Sequence, residues 1–140
     1  MKFFRKFDLG FGFKKSWAKE VNIYQNKQNR DPVLGPWKGV WETDTNGHTG
    51  KLECIISRNE SEGSYHFRYF ATWAFLLRGT YEVTFPVTEI NGEFVIEGDE
   101  NLGFFGNYHH SGKISGDEFT ASYSNGKNEV GNFRMIRPVS

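Results

Sequence analysis

The stretch VTEINGEFVI, residues 87–96, decides the fold because it encodes a tight antiparallel hairpin. Asn91 and Gly92 both tolerate the positive φ angles of a two-residue hairpin turn, and apolar residues flank them on both sides. A loop of two residues fixes the register of the two strands. It sets three facing pairs: Ile90 with Glu93, Val87 with Ile96, and Phe85 with Gly98.

A second hairpin follows in KISGDEFTASY, residues 113–123, where Gly116 and Asp117 form the predicted loop. This loop sets four facing pairs: Ser115 with Glu118, Ile114 with Phe119, Gly112 with Ala121, and His110 with Tyr123. Successive side chains of a strand point to opposite faces of the sheet. We therefore expect His110 on the apolar inner face and its neighbour His109 on the outer face.

Further strands extend in both directions from these hairpins. Turn residues bound predicted strands at 37–43, 50–57, 65–72 and, near the end of the chain, 129–137. Residues 73–79 either extend the preceding strand or form a short apolar corner. The eight strands that result have no crossover helix between them, which excludes parallel folds. The sequence thus predicts an all-β fold, an eight-stranded antiparallel up-and-down barrel with meander connections; a β-sandwich is the alternative.

The first barrel strand contains GPWKGVW, residues 35–41, in which two tryptophans flank a glycine. Side-chain alternation puts Trp37, Gly39 and Trp41 on one face, which we predict points into the barrel. A missing side chain between two large ones leaves space that something else fills. A bend of the strand, a crossing core ring and a bound ligand are the alternatives at Gly39.

Residues 1–30 form a basic and aromatic arm that differs from the rest of the chain. The arm carries eight Lys or Arg and two Asp or Glu, a net charge of +6, although the 17 basic and 17 acidic residues of the whole chain balance. Charged residues interrupt its apolar runs, so we expect neither a secretory signal nor a membrane span. A helix is predicted over 16–28, capped by Ser16, within an extension of residues 1–33 that precedes a barrel domain of residues 34–140.

The arm has two interpretations that the sequence leaves open. Its aromatic rings are Phe3, Phe4, Phe7, Phe11, Phe13 and Trp17. These rings and the lysines could contact an anionic membrane surface or a partner protein, or the rings could pack onto the barrel. Because none of the eight predicted strands lies in residues 1–30, we expect the barrel to fold without them. We expect a cytoplasmic protein, peripheral to the membrane if the arm docks there.

The Gly-x-Trp opening at Gly35 to Trp37, the meander of eight strands and an arginine near the end of the last strand resemble the calycin barrels, which include the lipocalins and fatty-acid-binding proteins. In that group a tryptophan of the first strand packs across the closed end of the barrel, and an arginine of the last strand lies over its ring. The resemblance implies this role for Trp37 and assigns the arginine to Arg134 or Arg137. The segments GPWKGVWE, NGHTGKLE and GNFRMIRP are also similar to those of uncharacterised bacterial barrel proteins.

The opening motif raises the possibility of a haem cofactor. Nitrobindin-like barrels share the Gly-x-Trp-x-Gly opening, but they carry an axial histidine on a late strand. The last strand here, in EVGNFRMIRP, has no histidine, and only His110 could substitute for it. We therefore predict no haem and no other cofactor.

An interior ligand would meet residues predicted to line the barrel: Trp41, Tyr69, Tyr108, His110 and Tyr123. His110 is either a hydrogen-bonded core residue or a donor that orients a carboxylate or carbonyl of the ligand. Cys54, the single cysteine, lies in an apolar strand without a basic partner. The histidines lack metal-binding spacing, and the barrel offers no reason to propose nucleic-acid binding. We predict neither a metal site nor catalysis.

The sequence therefore predicts a non-catalytic barrel that binds a small apolar or aromatic ligand in its interior. The alternative is an interaction protein whose barrel is filled by side chains and whose arm docks a protein complex or an anionic membrane. The 24 aromatic residues do not decide between these functions, because large rings can both fill a small barrel and line a ligand site.

Overall fold

The computed structural model describes residues 4–6, 11–44, 47–60, 63–73, 77–101, 107–126 and 129–138. Among these residues the elements, in chain order, are β1 (Phe4–Lys6), α1 (Phe11–Gln25), β2 (Gly35–Thr43), β3 (Thr49–Arg58), β4 (Ser64–Trp73), β5 (Leu77–Ile90), β6 (Glu93–Asn101), β7 (Asn107–Ser115), β8 (Glu118–Ser124) and β9 (Val130–Ile136). Residues 74–76, within the ambiguous segment 73–79, lie outside the described residues, as do residues 45–46 of the first predicted turn.

The strands β2 to β9 form a closed antiparallel barrel in which neighbours in sequence are neighbours in the sheet. Strand β9 pairs with β2, and β5 pairs with β6, so the ladder of strands returns to its starting point. Closure gives the strands partners on both sides and removes most exposed sheet edges. The predicted eight-stranded meander barrel is confirmed, and the sandwich alternative is wrong.

Both predicted hairpins form with the turn geometry that their residues favour. Asn91 and Gly92 have φ angles of 53° and 83°, and Gly116 has a φ angle of 60°. All four pairs expected in the second hairpin are present, and in the first hairpin Ile90 faces Glu93 and Val87 faces Ile96. The expected pair of Phe85 with Gly98 is wrong, because the β5–β6 ladder ends at Val87.

Pro86 gives the physical reason for this early end. The N–H of Val87 donates to the Gly63 carbonyl oxygen at 2.8 Å, on the β4 side of the strand. Alternation directs the nitrogen of Pro86 toward β6, where proline has no N–H to donate. Strands β5 and β6 separate beyond this point, and β1, a strand that the sequence did not predict, pairs instead with residues 80–82 of β5.

The closed end of the barrel is built on Trp37, which is fully buried. Its indole N–H donates to the Val33 carbonyl oxygen at 3.0 Å, and the Arg137 guanidinium lies 3.9 Å from the centroid of its ring. The Tyr24 ring of α1 stacks on the same guanidinium at 4.6 Å. Burial lowers the pKa of Arg137 to about 10, so the side chain stays charged at neutral pH. The fold therefore assigns the tryptophan-stacking role to Arg137; Arg134 lies on the outer face beside Glu118.

Gly39 lies where the backbone of β9 comes closest to β2. A Cβ atom added at Gly39 would lie 1.8 Å from the carbonyl oxygen of Arg134 and 2.7 Å from the Cα of Met135. The space beside this glycine is thus occupied by the main chain of β9, rather than by a core ring or a ligand. The two strands can adopt this register only with glycine at position 39.

Helix α1 begins at Phe11 and ends at Gln25, earlier at both ends than the predicted span of 16–28. Ser16 therefore lies inside the helix and is not its cap. The helix packs on the outer face of β3 and β4, where the buried Phe13 ring stacks on Phe70 with centroids 5.5 Å apart and contacts Ile55. For this segment the structure favours the interpretation in which the rings of the arm pack onto the barrel. That the barrel folds without residues 1–30 stays a prediction.

The rest of the arm is described only in part. Phe3 and Phe7 lie outside the described residues, as do the side chains of Phe4 and Phe11. Trp17 packs beside Phe13, and Lys14 forms an ion pair with Glu53 of β3. In the part of the chain that the structure describes, the helix is too short and too polar to cross a membrane.

Replacing Phe13 with alanine tests whether α1 is part of the folded core. We expect Phe13→Ala to lower the free energy of unfolding by about 3 kcal/mol, because the change uncovers Ile55 and Phe70. Ile23→Ala, on the same helix but 39% exposed, is the matched control and should change stability by less than about 0.5 kcal/mol. Denaturant titrations of both variants give the two values. Equal values would mean that the helix does not pack on the barrel.

Candidate functional site

The barrel interior changes character between its two ends. The closed end, at Trp37 and Arg137, is filled by apolar side chains, where Phe119 packs edge-on against Trp37 with ring centroids 5.8 Å apart. At the opposite end, where β6 leads into β7, the inward-facing side chains carry polar groups. They are Trp41, Tyr69, Tyr81, Glu100, Tyr108, His110 and Tyr123. We call this set the upper cluster.

The upper cluster is centred on a buried carboxylate next to a histidine. The side chain of Glu100 is 1% exposed and that of His110 is 12% exposed. His110 Nδ1 lies 2.9 Å from Glu100 Oε1, within ion-pair distance but outside hydrogen-bond geometry. The other carboxylate oxygen, Oε2, has no hydrogen-bond partner among the described residues. Buried polar atoms of this kind are uncommon and need a reason.

Sequence reasoning placed His110 in the interior but missed Glu100. The register confirms His110 opposite Tyr123, and Glu100 lies opposite Tyr108 on the neighbouring strand. A signal for Glu100 was available, because alternation from the predicted inward residue Ile96 passes through Gly98 to position 100. An acidic residue near the end of a strand is usually solvated, which hides this signal in the sequence.

Two tyrosines form one wall of the cluster beside Glu100. Tyr69 and Tyr81 face each other across β4 and β5 and stack with centroids 4.8 Å apart. Burial, and the negative charge of Glu100 with other neighbours, raise the pKa of both hydroxyls well above the ordinary value. Both side chains are therefore neutral phenols at physiological pH. Burial likewise raises the pKa of the Cys54 thiol, which has Tyr69 as a hydrogen-bond neighbour and is fully buried.

The other predicted ligand-lining residues are held by contacts within the protein. The Trp41 indole N–H donates to the Thr72 carbonyl oxygen at 2.9 Å, and the Tyr123 hydroxyl donates to the Glu42 carbonyl oxygen at 3.1 Å. The Tyr108 hydroxyl donates to Glu129 at 2.8 Å, and burial with this bond raises its pKa to about 12. These three polar groups are thus engaged, which leaves Glu100 Oε2 and His110 Nδ1 as the upper cluster's buried polar atoms without a hydrogen-bond partner among the described residues.

Glycines opposite two of these rings allow them to lie flat on the neighbouring strand. Trp41 faces Gly50 and Tyr123 faces Gly131 in the ladders. A Cβ atom at Gly50 would lie 2.4 Å from the indole nitrogen, and one at Gly131 would lie 2.3 Å from the Tyr123 hydroxyl. Each aromatic ring covers the glycine beside it, a pairing known to stabilise sheets. A Cβ at either position would also meet a main-chain oxygen, that of Thr72 or that of Glu42, so substitution of either glycine would disturb the backbone as well as the ring.

The other histidine of the His109-His110 pair, His109, faces outward, as the alternation predicts. His109 is exposed and lies 2.8 Å from Asp99 and 3.6 Å from Glu97. The hydrogen bond to Asp99, assisted by both negative charges, raises the pKa of His109. The described residues contain no group of three or more His, Cys, Asp or Glu side chains arranged to hold a metal ion.

The outer face of the barrel carries a concavity, which is less suited to a ligand than the upper cluster. It is an open depression on β7 to β9 whose lining includes Lys113, Thr120 and Arg134. Side chains there are solvated, and Arg134 is already paired with Glu118 at 2.6 Å. The upper cluster, with its buried unpaired oxygen, is therefore the stronger candidate site.

Comparison with solved structures finds the same fold in a protein of unrelated sequence. A de novo designed fluorescence-activating β-barrel is 10% identical to this chain, with a TM-score of 0.52. The match covers 85% of this chain and 98% of the designed one. No protein-family model and no curated protein matches the sequence. The match shows the barrel fold and does not test the calycin resemblance.

Proposed function

We propose that this protein is a non-catalytic barrel that binds one small, largely aromatic ligand in its upper cluster. The observation that carries this proposal is the buried Glu100 Oε2, which has no hydrogen-bond partner among the described residues. Burial of a carboxylate oxygen without a partner costs free energy that a folded chain usually avoids. A ligand that donates to this oxygen would account for its presence inside the barrel.

The surroundings of Glu100 suit a ring-bearing ligand. The stacked pair Tyr69 and Tyr81 and the ring of Phe85, 5.5 Å from the His110 ring, offer flat apolar surfaces close to one polar pair. Ligand pockets commonly combine such apolar walls with a few polar groups that fix orientation. A barrel of eight strands is wide enough to hold one small ligand when its interior is not fully packed. The designed barrel of the same fold is described as fluorescence-activating, a property consistent with an interior that accepts a small dye.

A binding role is favoured over catalysis by the state of the one cysteine. The Cys54 thiol is fully buried, its pKa is raised, and its hydrogen-bond neighbour is Tyr69 rather than a base. Such a thiol is inert, because the thiolate is the nucleophile in cysteine chemistry.

The test uses N-phenyl-1-naphthylamine, an uncharged aromatic dye that brightens in apolar surroundings. We expect saturable binding of one dye per chain by the intact protein. Ala121→Trp should abolish the fluorescence increase, because position 121 lies on the inner face opposite Gly112 and Phe133 and the new ring would take up room inside the barrel. Ser122→Trp adds the same ring to the outer face and is the matched control.

Thermal unfolding shows whether each variant is folded, and Ala121→Leu provides a smaller filling change that should weaken binding in proportion. Dye binding that is unaffected by Ala121→Trp and Ala121→Leu would place the dye on the outer surface and contradict the proposal. A wild-type protein that does not bind the dye at all would favour a barrel filled by side chains.

A further inference from the structure

The unpartnered oxygen of the Glu100 carboxylate points to a specific kind of ligand. Oε1 faces His110 at 2.9 Å, whereas Oε2 is unpaired in the described part of the chain. An ionised carboxylate only accepts hydrogen bonds, so its natural partner is a donor, and a charged donor gives the strongest bond. This requirement reverses the sequence-based expectation that His110 orients a ligand carboxylate, because an anion beside Glu100 would be repelled.

We propose that Glu100 Oε2 receives the protonated nitrogen of a small aromatic amine held among the rings of the upper cluster. This inference rests on the proposed function and adds to it the charge and chemical class of the ligand. The ammonium group would donate to Oε2, and the aromatic part would stack on Tyr69, Tyr81 or Phe85.

The aromatic walls favour a cation over a neutral ligand. Tyr69 and Tyr81 remain uncharged phenols, and Glu100 lies near enough to influence the pKa of both. The faces of such rings attract an ammonium group, and the attraction is larger where water is excluded. A cation at Oε2 would therefore be stabilised by the carboxylate and by the rings around it.

Apart from the His110 imidazole, which faces Oε1, the described barrel side chains supply no cation to Glu100. Among the described Lys and Arg side chains, Arg137 is the one that reaches the barrel core, and it lies at the closed end. Its guanidinium is engaged there by the carbonyl oxygens of Pro36 and Asp31, at 3.2 and 2.8 Å. Arg137 is thus committed to the closed end and does not neutralise Glu100.

One arginine of the N-terminal arm is an alternative source of the cation that would meet Glu100. Arg5 of β1 occupies the register position opposite Tyr81, at the edge where β5 and β6 separate. The experiment must therefore distinguish Arg5 from an external amine as the cation that meets Glu100.

Calorimetric titration of the full chain with three indoles of similar size provides the test. Tryptamine is a cation, tryptophol is neutral and indole-3-acetate is an anion at neutral pH. We expect tryptamine to bind about 10- to 100-fold more tightly than tryptophol, and indole-3-acetate to bind most weakly. Glu100→Gln should remove the preference for tryptamine while tryptophol binding stays the same. Glu97→Gln, the same change on the outer face of β6, should leave all three affinities unchanged.

Each result has a defined meaning. Equal binding of tryptamine and tryptophol by the wild-type chain, or an unchanged preference in a folded Glu100→Gln variant, would overturn this inference and leave the proposed function intact. If Glu100→Gln does not fold, Glu100→Asp replaces it in the test. This variant keeps a carboxylate on a shorter side chain, and it should reduce the preference for tryptamine over tryptophol. Tryptamine binding that appears only in an Arg5→Gln variant would identify Arg5 as the occupant and also overturn the inference. If neither the three indoles nor the uncharged dye bound to the wild-type chain, the proposed function itself would be contradicted.

Discussion

Gly39→Ala is expected to prevent folding or to lower the free energy of unfolding by more than about 3 kcal/mol. The added Cβ would lie 1.8 Å from the carbonyl oxygen of Arg134 and 2.7 Å from the carbonyl carbon. Both atoms belong to the main chain of β9, so no side-chain rotation can relieve the overlap. Relief would require separation of β2 and β9, which are paired along residues 38–43 of β2.

Far-ultraviolet circular dichroism during a denaturant titration measures this effect. Gly12→Ala makes the same chemical change in α1, where a Cβ meets no atom within 4 Å, and should raise stability by about 0.5 kcal/mol. The two substitutions thus have opposite expected signs. A loss below about 1 kcal/mol in Gly39→Ala would mean that β2 and β9 do not approach as closely as described.

Trp37→Ala is expected to cost about 3 to 5 kcal/mol, the range for a large aromatic side chain removed from a core. The substitution empties the closed end, removes the edge contact with Phe119 and takes away one of the two rings that stack on the buried Arg137 guanidinium. Equilibrium unfolding in urea measures the loss.

Val40→Ala on the same strand is the control for Trp37→Ala. Val40 is 57% exposed, and its truncation should change stability by less than about 0.5 kcal/mol. If the two variants lost similar amounts of stability, the closed end would not be a packed core, and the tryptophan and arginine arrangement that resembles the calycins would have no structural role.

The strand order and both hairpin registers could be predicted from the sequence because turn chemistry is local. Asn91-Gly92 and Gly116-Asp117 specify two-residue loops, and alternation then places His110 and Phe119 inside without further information. The prediction failed at the pair of Phe85 and Gly98, where the missing N–H of Pro86 ends the ladder. That effect depends on which side of the strand each N–H faces, which a residue pattern alone does not indicate.

The arm and the candidate site were less predictable, because each depends on contacts between distant segments. Ser16 is a residue type that commonly caps helices, yet α1 begins earlier because the Phe13 ring packs against Ile55 and Phe70 on the barrel surface. Tertiary packing commonly overrides local helix signals in this way. Glu100 was missed because its burial follows from barrel closure and from its position opposite Tyr108.

Native mass spectrometry of the protein purified from its own cells tests the central claim most directly, because it detects any retained small molecule, whatever its identity. We predict a complex with one small molecule per chain that is released on unfolding, and that carries a basic nitrogen. Protein with Ala121→Trp, purified in the same way, should carry none. A wild-type spectrum that contains only the bare chain, under conditions gentle enough to retain a control barrel's ligand, would contradict the claim that the upper cluster is a ligand site.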